Sequence, residues 1–217
     1  MTKRTFYIVL ILAVVMGAVV LAQGATVRLT GVDQGYEPAQ PIAYSHRLHA
    51  GELQIACQYC HYGAERSRHA GIPPTSVCMN CHRFITALQV QVKAEEALAR
   101  SQGRQPATVT SAEIKKIYDA LGLDANGQPA KNRRQRAIRW KQVHFVPDFV
   151  NFDHRRHVAA GVVCQTCHGQ VQTMERVSQF APLTMGWCVQ CHRDNNAKAA
   201  KKRSPFRSST DCAVCHY

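Results

Sequence analysis

The sequence has 217 residues, of which 46% are hydrophobic, and its formal net charge is +13 at pH 7. This length allows one globular domain or two small ones, and so large a basic excess would ordinarily indicate nucleic acid or anionic lipid as a partner. All ten cysteines fall in five Cys-x-x-Cys-His units. Neither a redox dithiol nor paired zinc knuckles explains a histidine after every second cysteine, and five knuckles cannot be paired without a remainder.

The first predicted element is an apolar helix. Lys3 and Arg4 precede an uncharged run of 17 residues, Phe6 to Ala22, which lies at the lower edge of what spans a bilayer. We predict a transmembrane anchor at residues 1–23, although Val20-Leu21-Ala22 resembles a signal-peptide cleavage site. Because the basic flank comes first, the amino terminus is expected in the cytoplasm and the rest of the chain outside the cell membrane, in the periplasm.

A duplicated unit follows this anchor. After a polar linker at residues 24–43, residues 44–83 contain a His-x-x-His pair, two Cys-x-x-Cys-His motifs and a final arginine. Residues 144–193 repeat this order with nearly the same spacing, which indicates an internal duplication. A helical insertion is predicted between the copies at residues 84–143, with Thr110-x-x-Glu113 as its capping box. Residues 194–217 form a basic linker and the fifth motif.

Each Cys-x-x-Cys-His motif is the signature of covalent c-type haem attachment. Its two thiols form thioethers with the haem vinyl groups, and the adjacent histidine binds the iron. The sequence therefore predicts five covalently bound haem c groups. The attaching cysteines are Cys57, Cys60, Cys78, Cys81, Cys164, Cys167, Cys188, Cys191, Cys212 and Cys215. The proximal iron ligands are His61, His82, His168, His192 and His216.

Five haems leave little polypeptide for a conventional core. We predict a mainly α-helical and irregular multihaem cytochrome c, with low strand content, a core packed largely by haem, and one amino-terminal transmembrane helix. Five oxidised haems with their propionates would contribute about −5 and leave a net charge of about +8. Much of the basic excess can thus neutralise propionates, and with the chain exported, nucleic acid is not expected as a partner.

Six further histidines are available for five distal positions on the irons. Four belong to the His-x-x-His pairs, namely His46, His49, His154 and His157. His144 and His69 compete for the fifth position, and His144 is favoured because His69 lies in a polar loop. Met185 is the alternative ligand, and it would raise the potential of its haem relative to a histidine. Histidines thus suffice to close every iron, which favours electron conduction over catalysis.

The paired histidines ahead of the motifs resemble those of the small multihaem cytochromes of the c3 and c7 type. This resemblance implies that one histidine of a pair caps the nearby haem while the other reaches a different haem. The anchor, His46 to Gly51, Ile72 to His82 and Pro182 to Arg193 also resemble the pentahaem cytochrome subunit of bacterial alternative complex III. That resemblance covers nearly the whole chain, including the insertion and the late fifth motif.

Alternative complex III implies a specific set of partners. They are polytopic quinol-oxidising membrane subunits, an iron–sulfur subunit, a monohaem cytochrome c subunit or soluble carrier, and the lipid bilayer. In this interpretation the chain transfers electrons towards a periplasmic carrier or terminal oxidase and has no substrate site of its own. Two alternatives are a stand-alone membrane-anchored quinol dehydrogenase and a multihaem reductase. Pentahaem nitrite reductases bind their catalytic iron through Cys-x-x-Cys-Lys, whereas all five motifs here end in histidine.

Overall fold

A computed structural model describes residues 2–22, 33–203, 205 and 207–216, without the side chains of residues 20–22. Residues 24–32 of the predicted linker lie outside the described residues. The helices are α1 Lys3–Ala22, α2 Cys57–Cys60, α3 Thr75–His82, α4 Gln89–Ser101, α5 Ala112–Leu121, α6 His154–Ala159, α7 Gln165–His168, α8 Met185–Lys201 and α9 Cys212–Cys215. A π-helical turn covers Arg47–Glu52, and 3₁₀ turns cover Tyr62–Glu65 and Val171–Thr173.

Strand pairing is minimal in the described part of the chain. It is limited there to two isolated bridges, Leu123 with Pro129 and Val150 with His216. The prediction of a mainly helical and irregular chain with low strand content is therefore confirmed.

Helix α1 presents its apolar side chains to the surroundings. Large hydrophobic residues from Phe6 to Val19 are exposed along its length, with Val14 at 65% and Met16 at 66%. Across residues 2–22, 33–203, 205 and 207–216, no helix combines the length and the apolar character that a membrane crossing requires. The transmembrane helix predicted at residues 1–23 is thus not supported by the described structure.

Many of the buried hydrophobic residues in the described structure belong to the insertion. Ile117, Tyr118 and Ala120 of α5 are buried, as is Ala99 of α4. Tyr118 is only 2% exposed, and its hydroxyl donates a hydrogen bond of 2.8 Å to the carbonyl oxygen of His82. The insertion therefore packs against the end of the first duplicated unit.

The start of α5 corrects one sequence prediction. Its N-cap is Ser111, whose hydroxyl oxygen accepts from the Ile114 amide at 3.3 Å. Thr110 lies one residue before this cap, and its hydroxyl donates to the carbonyl oxygen of Ala125. The Glu113 carboxylate accepts from the amide of Ala43 at 2.7 Å, so it ties the linker to the insertion rather than completing a capping box.

The two duplicated units contain little apolar core of their own. Among the described hydrophobic residues, only Ala64 and Ala181 are buried within them. Folding of such segments requires another source of buried apolar surface. This sparse packing is consistent with the predicted haem-packed core.

The duplicated units pack on each other reciprocally. The π-helical turn Arg47–Glu52 of the first unit contacts the 3₁₀ turn Val171–Thr173 of the second, and α6 of the second contacts the 3₁₀ turn Tyr62–Glu65 of the first. Equivalent backbone hydrogen bonds accompany these contacts, from the Arg47 amide to the Met174 carbonyl at 2.9 Å and from the Arg155 amide to the Ser67 carbonyl at 3.2 Å. The units are thus arranged as an approximate two-fold pair.

Gly51 marks the closest approach in this reciprocal contact. A Cβ atom at this position would overlap the backbone carbonyl oxygen of Gln172, so Gly51→Ala forces the units apart. We expect a loss of about 1–3 kcal/mol in the free energy of unfolding, measured by chemical denaturation of the haem-loaded chain with far-UV circular dichroism. Gly186→Ala, where the added atom meets open space, is the matched control. Equal stability of the two variants would contradict the close contact.

Candidate functional site

Four of the five motif histidines lie opposite a histidine of a His-x-x-His pair. We number the sites by motif: site one ends at His61, site two at His82, site three at His168, site four at His192 and site five at His216. The ring centroids are 6.5 Å apart for His46–His61, 6.1 Å for His49–His82, 6.3 Å for His154–His168 and 6.1 Å for His157–His192. Each pair thus joins one spare histidine to one motif.

These separations fit two imidazoles on opposite sides of one iron. A histidine nitrogen binds such a metal at about 2 Å. Because the ring centre lies roughly 1 Å beyond that nitrogen, two histidines on opposite sides of one iron have ring centroids about 6 Å apart. Direct contact between stacked rings gives shorter separations, such as 4.3 Å between Tyr44 and His49. The four pairs therefore suit a haem iron, whose remaining ligands come from the porphyrin. No group of three or more His, Cys, Asp or Glu side chains suited to a metal ion occurs among the described residues.

The outer ring nitrogens fix the orientation of these histidines. In six of the eight paired rings Nδ1 donates to a backbone carbonyl at 2.5 to 2.9 Å, which leaves Nε2 for a metal. The pairs of donor and carbonyl are His49 and Ser45, His61 and Gly71, His82 and Ile85, His154 and Arg68, His157 and Asp153, and His192 and Ser209. His46 and His168 are the exceptions. The Nδ1 atom of His46 is buried without a hydrogen-bond partner in the described structure, and that of His168 bonds to another histidine.

An aromatic residue ahead of each His-x-x-His pair packs on both of its rings. Tyr44 lies 4.8 Å from His46 and 4.3 Å from His49, measured between ring centroids. Phe152 occupies the equivalent place in the second unit, at 4.8 Å from His154 and 4.5 Å from His157. No role is predicted for these two residues from the sequence. The signal was present, because an aromatic residue stands two positions before the first histidine in both copies.

Burial keeps the central ligands neutral. The pKa of His46 is lowered to about 4, mainly by burial and then by the nearby His61. The pKa of His168 is likewise lowered to about 4, by burial first and then by His144. Both imidazoles are therefore neutral at pH 7, the form that binds metals. Burial also raises the pKa of the Cys167 thiol to about 11, so this thiol stays protonated before it reacts.

Neighbouring motifs lie close enough for their thiols to interact. The pKa of Cys164 in site three is raised by burial and then by Cys57 of site one, which also shares a hydrogen bond with it. The pKa of Cys60 in site one is raised by burial, then by Cys57 of the same site and by Cys81 of site two. Site three interacts in the same way with site four through Cys167, and site four with site five through Cys188. The spatial order of the sites is therefore two, one, three, four, five.

Site five differs from the other four in its surroundings. The ring of Phe149 lies 5.8 Å from that of His216, and Val150 forms a β-bridge with His216. The Asn151 amide donates to the Cys215 carbonyl at 2.7 Å. Among the described ring contacts, none brings a second histidine opposite His216.

The three candidates for the fifth distal ligand lie in different places. His144 contacts His168, with its Nε2 atom 3.2 Å from Nδ1 of that ring, so it occupies the outer side of site three. His69 is exposed in a loop. On either side of it, the carbonyl of Arg68 accepts from His154 and the carbonyl of Gly71 accepts from His61. Met185 is 70% exposed at the start of α8. His144 therefore contacts a proximal histidine from its outer side, whereas the sequence led us to expect it as a distal ligand.

Part of this chain is similar to known multihaem cytochromes. Residues 150–217 match the family model described as cytochrome c7 and related cytochrome c. The chain is also 24% identical over 202 residues to the multiheme cytochrome c subunit of menaquinone reductase from Nitratidesulfovibrio vulgaris, over 82% of this chain and 76% of the relative.

The matched family segment holds most of the second unit and the whole fifth motif. The two similarities support a multihaem cytochrome c function in electron transfer, which implies covalently bound haem c. The resemblance to cytochromes of the c7 type is confirmed for these residues. Assignment to alternative complex III and the count of five haems stay predictions.

Proposed function

We propose that this chain is an electron-transfer subunit that holds five c-type haems and relays electrons between a membrane quinol-oxidising complex of the alternative complex III type and a periplasmic carrier or terminal oxidase. The observation that carries the proposal is the set of four histidine pairs with ring separations of 6.1 to 6.5 Å. Such pairs close both axial positions of an iron, which favours conduction over substrate binding.

The chain's own residues supply attachment and axial ligands. Each motif offers two cysteines for thioethers and one proximal histidine. His46, His49, His154 and His157 complete sites one to four in the order of the pairs described above. Bound haem iron supplies one-electron chemistry between the ferric and ferrous states. Because each site interacts with the next one along a single row, the two ends of the row are sites two and five.

For site five, elimination among the spare histidines favours His69 over His144. The segment from Asn151 to His154 supports this choice. Asn151 donates to Cys215 of site five, and His154 donates to the carbonyl of Arg68, the residue before His69. One short segment therefore touches both site five and the loop that carries His69. Met185 remains the alternative ligand.

Helix α1 supports attachment to the membrane. Its exposed apolar side chains have no partner in the described chain that would cover them, and burying them in lipid or against an apolar partner is favourable. The basic residues Lys3 and Arg4 next to this apolar surface favour contact with anionic lipid headgroups, and we place the haem-binding region in the periplasm as part of the proposal. Polytopic quinol-oxidising subunits and an iron–sulfur subunit would then lie beside helix α1.

A second function is favoured by the relative. That protein is named as the multiheme cytochrome c subunit of a menaquinone reductase, so its complex delivers electrons to menaquinone. The same row of sites can conduct in either direction, because direction depends on the potentials of the partners. The second candidate is therefore a subunit that passes electrons towards the quinone pool.

Purification of the native complex tests both functions. We expect the chain to co-purify with polytopic and iron–sulfur subunits and to contain five haems, measured by intact mass and by the pyridine haemochrome assay. Reduction of the haems by added quinol would support the first direction, and oxidation of pre-reduced haems by menaquinone would support the second. A chain that isolates alone, or with fewer haems than motifs, would refute the proposed function.

A further inference from the structure

His144 contacts a proximal ligand from behind. Its Nε2 atom lies 3.2 Å from Nδ1 of His168, and the two rings are 4.3 Å apart at 76°. This arrangement is that of an N–H donor of one imidazole pointing at the lone pair of another. Among the described Nδ1 contacts of the paired histidines, that of His168 ends on a side chain and the others end on backbone carbonyls.

The position of His144 is held by a buried amide. Gln179 is 1% exposed, and its side-chain oxygen accepts from the amide of Phe145 at 3.0 Å. The backbone of Gln179 is itself bonded on both sides, to Gly35 and Tyr36. The residue next to His144 is therefore anchored in a fixed network, which keeps the imidazole against His168.

The contact with His168 sets the tautomer that His144 would adopt as an acceptor. A neutral imidazole carries its proton on one nitrogen and a lone pair on the other. With Nε2 as the acceptor, the proton lies on Nδ1.

We propose that His144 is a positioning residue that accepts a hydrogen bond from His168 and thereby lowers the reduction potential of site three. An acceptor on the outer nitrogen makes the ligating nitrogen more basic, and a more basic ligand stabilises the ferric state. The inference rests on the proposed haem binding at site three. It makes site three, in the middle of the row, adjustable by a side chain that does not bind the iron.

Spectropotentiometric titration of the purified full chain tests this role without any partner. His144→Phe keeps an aromatic ring and removes the acceptor, and we expect one of the five redox transitions to rise in potential. All haems should stay low-spin by electron paramagnetic resonance, and the haem count should not change. His144→Gln, whose side-chain oxygen can accept from Nδ1, should restore the original titration.

The possible failures of this test can be told apart. A haem count below five in the unsubstituted chain would refute the proposed function, whereas an unchanged titration in His144→Phe refutes the positioning role alone. A high-spin haem in His144→Phe would show that His144 binds iron directly and would also overturn the proposal. If phenylalanine prevents haem attachment, His144→Asn replaces it, because asparagine is too short to reach His168 and must raise the same potential.

Discussion

His154→Ala is expected to convert one haem per chain from low-spin to high-spin. His154 lies opposite His168 at 6.3 Å between ring centroids, and alanine offers no nitrogen for the second axial position. The affected site lies between sites one and four, so electron transfer along the row should slow as well. Electron paramagnetic resonance and the visible spectrum of the purified chain measure the change of spin state.

Two further variants make the result specific. His154→Met should keep the haem low-spin and raise its potential, because a methionine sulfur can replace the second nitrogen. Arg156→Ala, at an exposed position on the same helix α6, is the control that should leave the spectrum unchanged. If His154→Ala retained five low-spin haems, the proposed pairing at site three would be wrong.

His69→Ala is expected to produce a second, independent high-spin haem at site five. The other spare histidines each have a contact that accounts for them, four opposite a motif histidine and His144 behind His168. This expectation reverses the preference drawn from the sequence, which placed His144 at the fifth position.

The comparison with Met185→Ala decides the ligand of site five. A methionine ligand gives a charge-transfer band that histidine ligation lacks, so loss of such a band in Met185→Ala would identify Met185. A low-spin spectrum in His69→Ala together with a high-spin haem in Met185→Ala would contradict the histidine assignment. The double variant His69→Ala with His154→Ala should contain two high-spin haems, because the sites are separate.

The attachment chemistry was predictable because it is local. The Cys-x-x-Cys-His spacing alone fixes which residues share a site, and the duplicated His-x-x-His pattern indicated the four distal candidates. The pairing of one histidine with the first motif and the other with the second follows the implication of the c7-type resemblance. In both copies the first histidine of the pair lies opposite the first motif histidine, and the second lies opposite the second motif histidine.

The remaining features depend on contacts between distant parts of the chain. His144 could not be placed from the sequence, because its partner His168 lies 24 residues away and no local pattern links them. The capping prediction failed by one residue, because the hydroxyl of Ser111 rather than that of Thr110 accepts from the first turn of α5. The order of the sites was also hidden, since the row begins with the second motif rather than the first.

The reciprocal packing of the two units bears on how such a chain could have arisen. Each unit places its histidine-bearing helical turn on the 3₁₀ turn of the other, through backbone hydrogen bonds at equivalent positions. A single ancestral unit could satisfy both contacts only by pairing with an identical copy through a self-complementary interface. Gene fusion of such a homodimer would preserve every contact while joining the copies through the insertion. The present chain holds, within one polypeptide, the two-fold arrangement that a self-complementary dimer of one unit would have.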